Sequence, residues 1–142
     1  SDLDAVSWSE MEDFLGACAE PLRRRGGAIT VGSAGLKWAR VWRALDVDVD
    51  QVHLYDWGEE GHPHDRPLAA YGLGDRPALV GELSLAGFGG RSYPASVARL
   101  RSLGYAGAFG WAYRERNQLW ARHAEDVRAA SDAAAGPAGA NA

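Results

Sequence analysis

Three apolar runs in this sequence end in residues whose side chains can do chemistry. Ala78-Leu79-Val80-Gly81 delivers Glu82, Gln51-Val52-His53-Leu54 delivers Tyr55, and Gly107-Ala108-Phe109-Gly110 delivers Trp111. A carboxylate closing an apolar strand must be hydrogen-bonded, ion-paired or turned to a wet cleft, because burying an unpartnered charge is costly. An ion pair with Arg91 or Arg114 would be a purely structural solution. Side chains along a strand alternate faces, so His53 and Tyr55 point one way while Val52 and Leu54 point the other. Trp111 can fill a core or serve as a ligand platform, and aromatic faces suit the apolar surface that axial C–H groups give a sugar ring. A carboxylate, an imidazole and a phenol are groups from which acid–base chemistry is built.

The remaining candidate groups favour structural roles. His62 and His64, with Asp65, lack a third ligand at a defined spacing and read as a solvated loop rather than a metal site. Gly87, Gly89 and Gly90 lack the strand-to-helix fingerprint of a dinucleotide site and predict a mobile loop after Glu82. Trp57 either packs its loop or offers a second aromatic face. His123 falls on a helical stretch, exposed or partly packed. Cys18 is the one cysteine, which excludes an internal disulfide and a Cys-rich metal site. It lies in the series Met11, Phe14, Leu15, Cys18, Leu22, the spacing of an apolar helix face, and reads as buried packing.

Behind these residues stand 142 positions, 46% hydrophobic and 24% charged, the make-up of one globular domain with a real core. The net charge of −4, with no basic run longer than Arg23-Arg24-Arg25, argues against a nucleic-acid partner. No stretch is long enough to cross a bilayer, and none at the start has a signal-peptide layout. The chain begins at Ser1 rather than Met, compatible with loss of an upstream segment.

Four apolar runs recur with helical patterns between them: Ala28 to Gly32, Gln51 to Tyr55, Ala78 to Glu82, and Gly107 to Trp111. Such alternation predicts βα units on a parallel sheet, since each parallel connection needs a crossover. Ser7 and Glu10 fit a capping box that starts a first helix near Trp8, and Gly26-Gly27 can end it. A second helix is predicted from Trp38, Val41, Trp42 and Leu45, a third from Ser92 through Val97, Leu100 and Leu103, and a last from about Asn117 to Ala130. Residues 131–142 form an Ala/Gly/Pro tail, read as disordered. Half of an eight-stranded barrel and an open four-stranded α/β sheet give the same pattern. In a barrel, His53 and Tyr55 would face inward near the C-terminal end of their strand, where such barrels place their active sites.

The series Ile29-Thr30-Val31-Gly32-Ser33, Val52-His53-Leu54-Tyr55-Asp56, Pro77-Ala78-Leu79-Val80-Gly81-Glu82 and Gly104-Tyr105-Ala106-Gly107-Ala108-Phe109-Gly110-Trp111 resembles strands five to eight of clan A glycoside hydrolases, especially the cellulase and mannanase-like family 5. The resemblance spans roughly residues 8 to 125. It implies an α/β, TIM-barrel-type fold in which residues 1–130 are the C-terminal half of the barrel. His53 and Tyr55 match the family's strand-six His-x-Tyr, Glu82 its strand-seven nucleophile, and Trp111 its strand-eight sugar platform. Trp57 could add a second platform.

What the resemblance implies is a retaining β-glycosidase for a β-linked glucan or mannan, without cofactor or metal. Retention needs two carboxyls about 5–5.5 Å apart, one attacking the anomeric carbon and one protonating the leaving oxygen. Tyr55 would hydrogen-bond Glu82 and keep it ionised, and His53 would orient the sugar or the acid. The sequence departs from the family in one respect: the strand-four Asn-Glu that carries the general acid is absent. Asp56, Glu59, Glu60 and Glu115 lie near strand ends, yet none matches its position. The alternative is a non-catalytic sugar-binding or interaction module on a degenerate barrel or open α/β sheet. Four strands cannot close an eight-stranded barrel. Inward-facing apolar residues, among them Val80 and Phe109, are therefore expected to drive self-association or pairing with an N-terminal half.

Overall fold

The computed structural model describes residues 6–55, 63–112 and 118–135. Helix α1 (Trp8–Arg23) opens with the capping box: the Glu10 N–H donates to Ser7 Oγ at 3.2 Å, and the Ser7 N–H donates to Glu10 Oε2 at 2.8 Å. Strands β1 (Thr30–Ser33), β2 (Val49–Leu54), β3 (Ala78–Ser84) and β4 (Gly107–Trp111) follow, with α2 (Tyr93–Ser102) before β4 and α3 (Gln118–Ala135) after it. The strands pair in chain order and all are parallel, so the described chain is a four-stranded arc of βα units.

One face of the arc carries the core. Val52 and Leu54 of β2 and Ala78, Val80 and Leu83 of β3 pack with Leu85 and Phe88, against Val97 and Leu100 of α2. Trp120, Val127 and Ala130 of α3 close over this layer. A smaller cluster of Ala19, Ile29 and Val47, with Trp42 and Leu45, seats α1 on the N-terminal end of β1. The Arg23 guanidinium donates to the Asp46 carbonyl at 2.9 Å and holds the two together.

Several elements differ from the sequence expectations. Trp38 to Leu45 is not one helix but two 3₁₀ turns, Leu36–Trp38 and Val41–Leu45. Both indoles meet the Trp8 ring, Trp38 with centroids 5.6 Å apart and Trp42 edge-on at 5.7 Å, and Trp42 also packs on the small cluster. Between β2 and β3 the described residues hold one short 3₁₀ turn, Leu68–Tyr71, hung on α2's end by the Leu68 N–H to the Leu103 carbonyl at 3.0 Å. Helix α3 runs on to Ala135, five residues into the stretch read as a tail, because Ser131 to Ala135 is rich in alanine, the best helix former. Cys18 is exposed rather than buried, as are Phe14 and Leu22. The sheet takes the face of Leu15 and Ala19, about 100° around the helix from Phe14 and Cys18, where small residues allow close approach. Val80 is fully buried against the helices instead of facing inward, since it shares its face with Ala78, while Phe109 is 65% exposed.

A buried ion pair fixes the sheet's lower edge. Arg43 Nη2 lies 2.6 Å from Asp50 Oδ2 at the start of β2, and the same guanidinium forks onto Asp75 at 2.7 and 3.1 Å. Asp50 is almost wholly enclosed and Asp75 largely open. The pairing raises the Arg43 pKa, through Asp50 first, and the bond from Arg43 holds the Asp75 carboxyl below its usual range.

Two stability outcomes follow from the asymmetry. Asp50→Ala removes the enclosed one of Arg43's two carboxylate partners, leaves it only the largely open Asp75, and is expected to cost about 1.5–3 kcal/mol in urea unfolding. Because Asp75 is depressed in the folded chain, its contribution is present at neutral pH, begins to fade below the unfolded carboxyl's pKa near 3.9, and is lost as pH falls through the lower folded value. The urea midpoint of Asp75→Asn is therefore expected below that of the parent at pH 7 and to converge with it as the pH falls through that lower folded value.

Candidate active site

Simple alternation along β3 would bury Glu82. Ala78 and Val80 face the helices, and two residues on, Glu82 would follow them. The strand avoids this by one extra residue. Val80 pairs with Val52, yet the next pair on β2 is His53 with Glu82, then Leu54 with Leu83. On the other side, Val80 pairs with Ala108 and Leu83 with Gly110, so Gly81 and Glu82 share the place opposite Phe109. This β-bulge returns Leu83 to the core and turns Glu82 to the opposite, inner face.

There Glu82 meets two of the residues singled out by sequence. Tyr55 Oη donates to Glu82 Oε2 at 2.5 Å, and His53 Nδ1 stands 3.4 Å from the same oxygen. Both contacts fall on Oε2, leaving Oε1 without a protein partner among the described residues. The carboxylate is about one-fifth exposed, enclosed enough to be held and open enough to be reached. Among the described residues it makes no ion pair with Arg91, whose guanidinium contacts the Gly89 carbonyl at 3.5 Å.

Trp111 stands one strand over, in register with Ser84 and 47% exposed. Its face is set by Gly110, where a Cβ would come within 2.6 Å of Leu85 Cδ2. The even positions of β4 thus point to the helices, and Phe109 and Trp111 point to Glu82's side. Trp57, Asp56, Glu59, Glu60, His62, Arg114 and Glu115 lie outside the described residues.

Sequence reasoning missed Gln51, Gly32 and Gly81, which form the floor beneath His53. Gln51 Nε2 is 3.4 Å from His53 Nε2, and a Cβ at Gly81 would fall 2.6 Å from Gln51 Cδ. An isolated glycine inside a strand pattern was the available signal, since it marks a bulge or a close approach.

The loop after β3 is pinned rather than free. Gly87, Gly89 and Gly90 take positive φ, Phe88 is buried, and its N–H donates to the enclosed Ser96 Oγ at 3.0 Å. The His64 ring leans on Phe88, centroids 5.9 Å apart, and His123 pairs with Asp126 on α3 at 3.1 Å. Among the described residues no three His, Cys, Asp or Glu side chains gather as a metal ion would need.

Two solved structures share this fold. An endo-1,4-β-mannanase from Eisenia fetida superposes with a TM-score of 0.69 at 22% identity, over 86% of this chain and 41% of that one. A β-1,4-mannanase from the common sea hare Aplysia kurodai superposes with a TM-score of 0.62 at 24% identity, over 79% of this chain and 39% of that one. The fold is a partial β/α barrel of the mannanase type. This chain spans about two-fifths of the length of the mannanases it matches. It matches no protein-family model and no curated protein sequence.

In this partial barrel the bulge glycine should tolerate no side chain. Gly81→Ala is expected to displace Gln51, cost about 1–3 kcal/mol by overpacking, and disturb the His53 and Tyr55 ring signals in NMR. An unchanged unfolding midpoint with unchanged ring signals would show that the slot is not tight.

Proposed function

We propose that this chain carries the nucleophile side of a retaining β-glycosidase of the family 5 type, acting on a β-linked mannan or glucan. The single observation behind the reading is the Glu82 carboxylate, turned onto the inner face with Tyr55 and His53 on one oxygen and the other oxygen outward. In this scheme Oε1 attacks the anomeric carbon and the leaving oxygen takes a proton from a second carboxyl. Tyr55 and His53 orient the attacking group, and Trp111 and Trp57 offer aromatic faces to the sugar. The named activity of the two mannanase neighbours favours mannan over glucan. The chemistry asks for no cofactor.

The general acid is the missing part. The sequence has no Asn-Glu pair, so the acid is assigned to a complementary N-terminal half-barrel. Support for a partner of that kind comes from the open face with its exposed Phe109 and Trp111, and from β1 and β4, each paired on one side only among the described residues. The same lack of an acid favours the second reading, a non-catalytic sugar-binding module.

The chain alone is expected to self-associate and to leave β-mannan and β-glucan uncut, and a half-barrel supplying the Asn-Glu motif is expected to restore hydrolysis. Glu82→Gln in the joined barrel should then lower turnover by several orders of magnitude, because the amide keeps the shape and loses the nucleophile. Light scattering and reducing-sugar assays read these outcomes. A monomeric chain that cuts either polymer unaided would move the acid to Asp56, Glu59, Glu60 or Glu115. A joined barrel that binds mannan and never cuts it would establish the binding-module reading.

A further inference from the structure

Gln51 precedes His53 by two positions on β2 and shares its face. Its side chain lies across the neighbouring backbones in a slot left by two glycines. A Cβ at Gly32 on β1 would sit 3.0 Å from Gln51 Nε2 and 2.9 Å from His53 Nε2, and one at Gly81 on β3 would be 2.8 Å from Gln51 Cγ. Both flanking strands thus omit a side chain where the amide and the imidazole meet.

The order of contacts runs along β2 from Gln51 Nε2 to His53 Nε2 at 3.4 Å, and then across to β3 from His53 Nδ1 to Glu82 Oε2 at 3.4 Å. A carboxylate oxygen only accepts, so the ring nitrogen facing it must carry a proton. With its nitrogen turned to the ring, the Gln51 amide donates there, and the ring nitrogen facing it is then bare. A neutral imidazole with its proton on Nδ1 meets both demands. With the proton on Nε2 instead, a nitrogen lone pair would face Glu82, and an imidazolium would set one N–H against another at Gln51.

We infer that Gln51 is a positioning residue: its amide holds His53 as the neutral Nδ1–H tautomer, which aims the ring's one proton at Glu82. The Tyr55 hydroxyl holds Oε2 by its hydrogen bond at 2.5 Å, and the protonated side of the ring, 3.4 Å away, adds a favourable dipole. The inference rests on Glu82 being the working carboxylate, while its test requires no turnover. Sequence pattern alone makes Gln51 one polar residue among several on an alternating strand. Its role emerges only from the two glycine gaps beside it.

The test is long-range proton–nitrogen NMR of the whole chain at about pH 8.5, above histidine's ordinary pKa of about 6.5. The His53 signals are assigned by their loss in His53→Gln. The expected spectrum shows Nδ1 at the shift of a protonated nitrogen and Nε2 at that of a bare one. Gln51→Leu keeps the volume, removes the donor, and should release a mixture of tautomers. Gln51→Glu offers only acceptor oxygens and should draw the proton to Nε2. A parent spectrum with the proton on Nε2 overturns the inference, and so does either variant if it keeps the parent tautomer. Should both variants fail to fold, the parent spectrum decides. A wrong tautomer leaves the outcome of Glu82→Gln in the joined barrel unaffected, and an inactive joined barrel leaves the tautomer unaffected, so the two failures are told apart.

Discussion

Everything at the candidate site depends on one extra residue in β3. A strand has a period of two, so a single insertion moves every later side chain to the other face. Here the insertion satisfies two demands that strict alternation sets against each other. Val80 and Leu83 both reach the helix-facing core, and Glu82 between them escapes it. Without the bulge, either Glu82 is buried among leucines or Leu83 is lost to the inner face. Gly81 makes the bulge possible because its missing side chain is the room that Gln51 occupies.

The rest of the fold holds that irregular strand in register. Below it, Arg43 ties the buried Asp50 of β2 to Asp75, and the Asp50 N–H donates to the Pro77 carbonyl just before β3 begins. Above it, Ser84 and Phe88 enter a turn clamped by Ser96 of α2. Beside it, β4 leaves out side chains at Gly110 so that Leu85 and Tyr93 can close the helix-facing layer. The bulge is therefore held from both ends and both sides, and Tyr55 and His53 find Glu82 within reach.

The arc also shows what a partial barrel leaves undone. Its helix-facing side is a dense core, whereas its inner side carries His53, Tyr55, Glu82, Phe109 and Trp111 at intermediate or high exposure. In a closed barrel that inner side is the packed interior below and the active-site mouth above. An arc of four strands builds the mouth's wall on one side only. Phe109, 65% exposed, lies on that open inner side.

The sequence by itself determined the four parallel strands, the capped first helix, the shared face of His53 and Tyr55, and the presence of Glu82 at the end of an apolar run. These features are local. They follow from period, caps and the cost of burying charge. Where the sequence pattern failed, tertiary contacts overrode the local period: Trp38 and Trp42 sit on two 3₁₀ turns and both reach Trp8 of α1, and α1 buries Ala19 rather than Cys18 because the smaller residue lets the helix approach. The face on which Glu82 lies, and the slot that sets Gln51 against His53, were decided by tertiary structure alone. A bulge is a mismatch between the lengths of two paired segments, and neither segment records the length of the other until both are side by side.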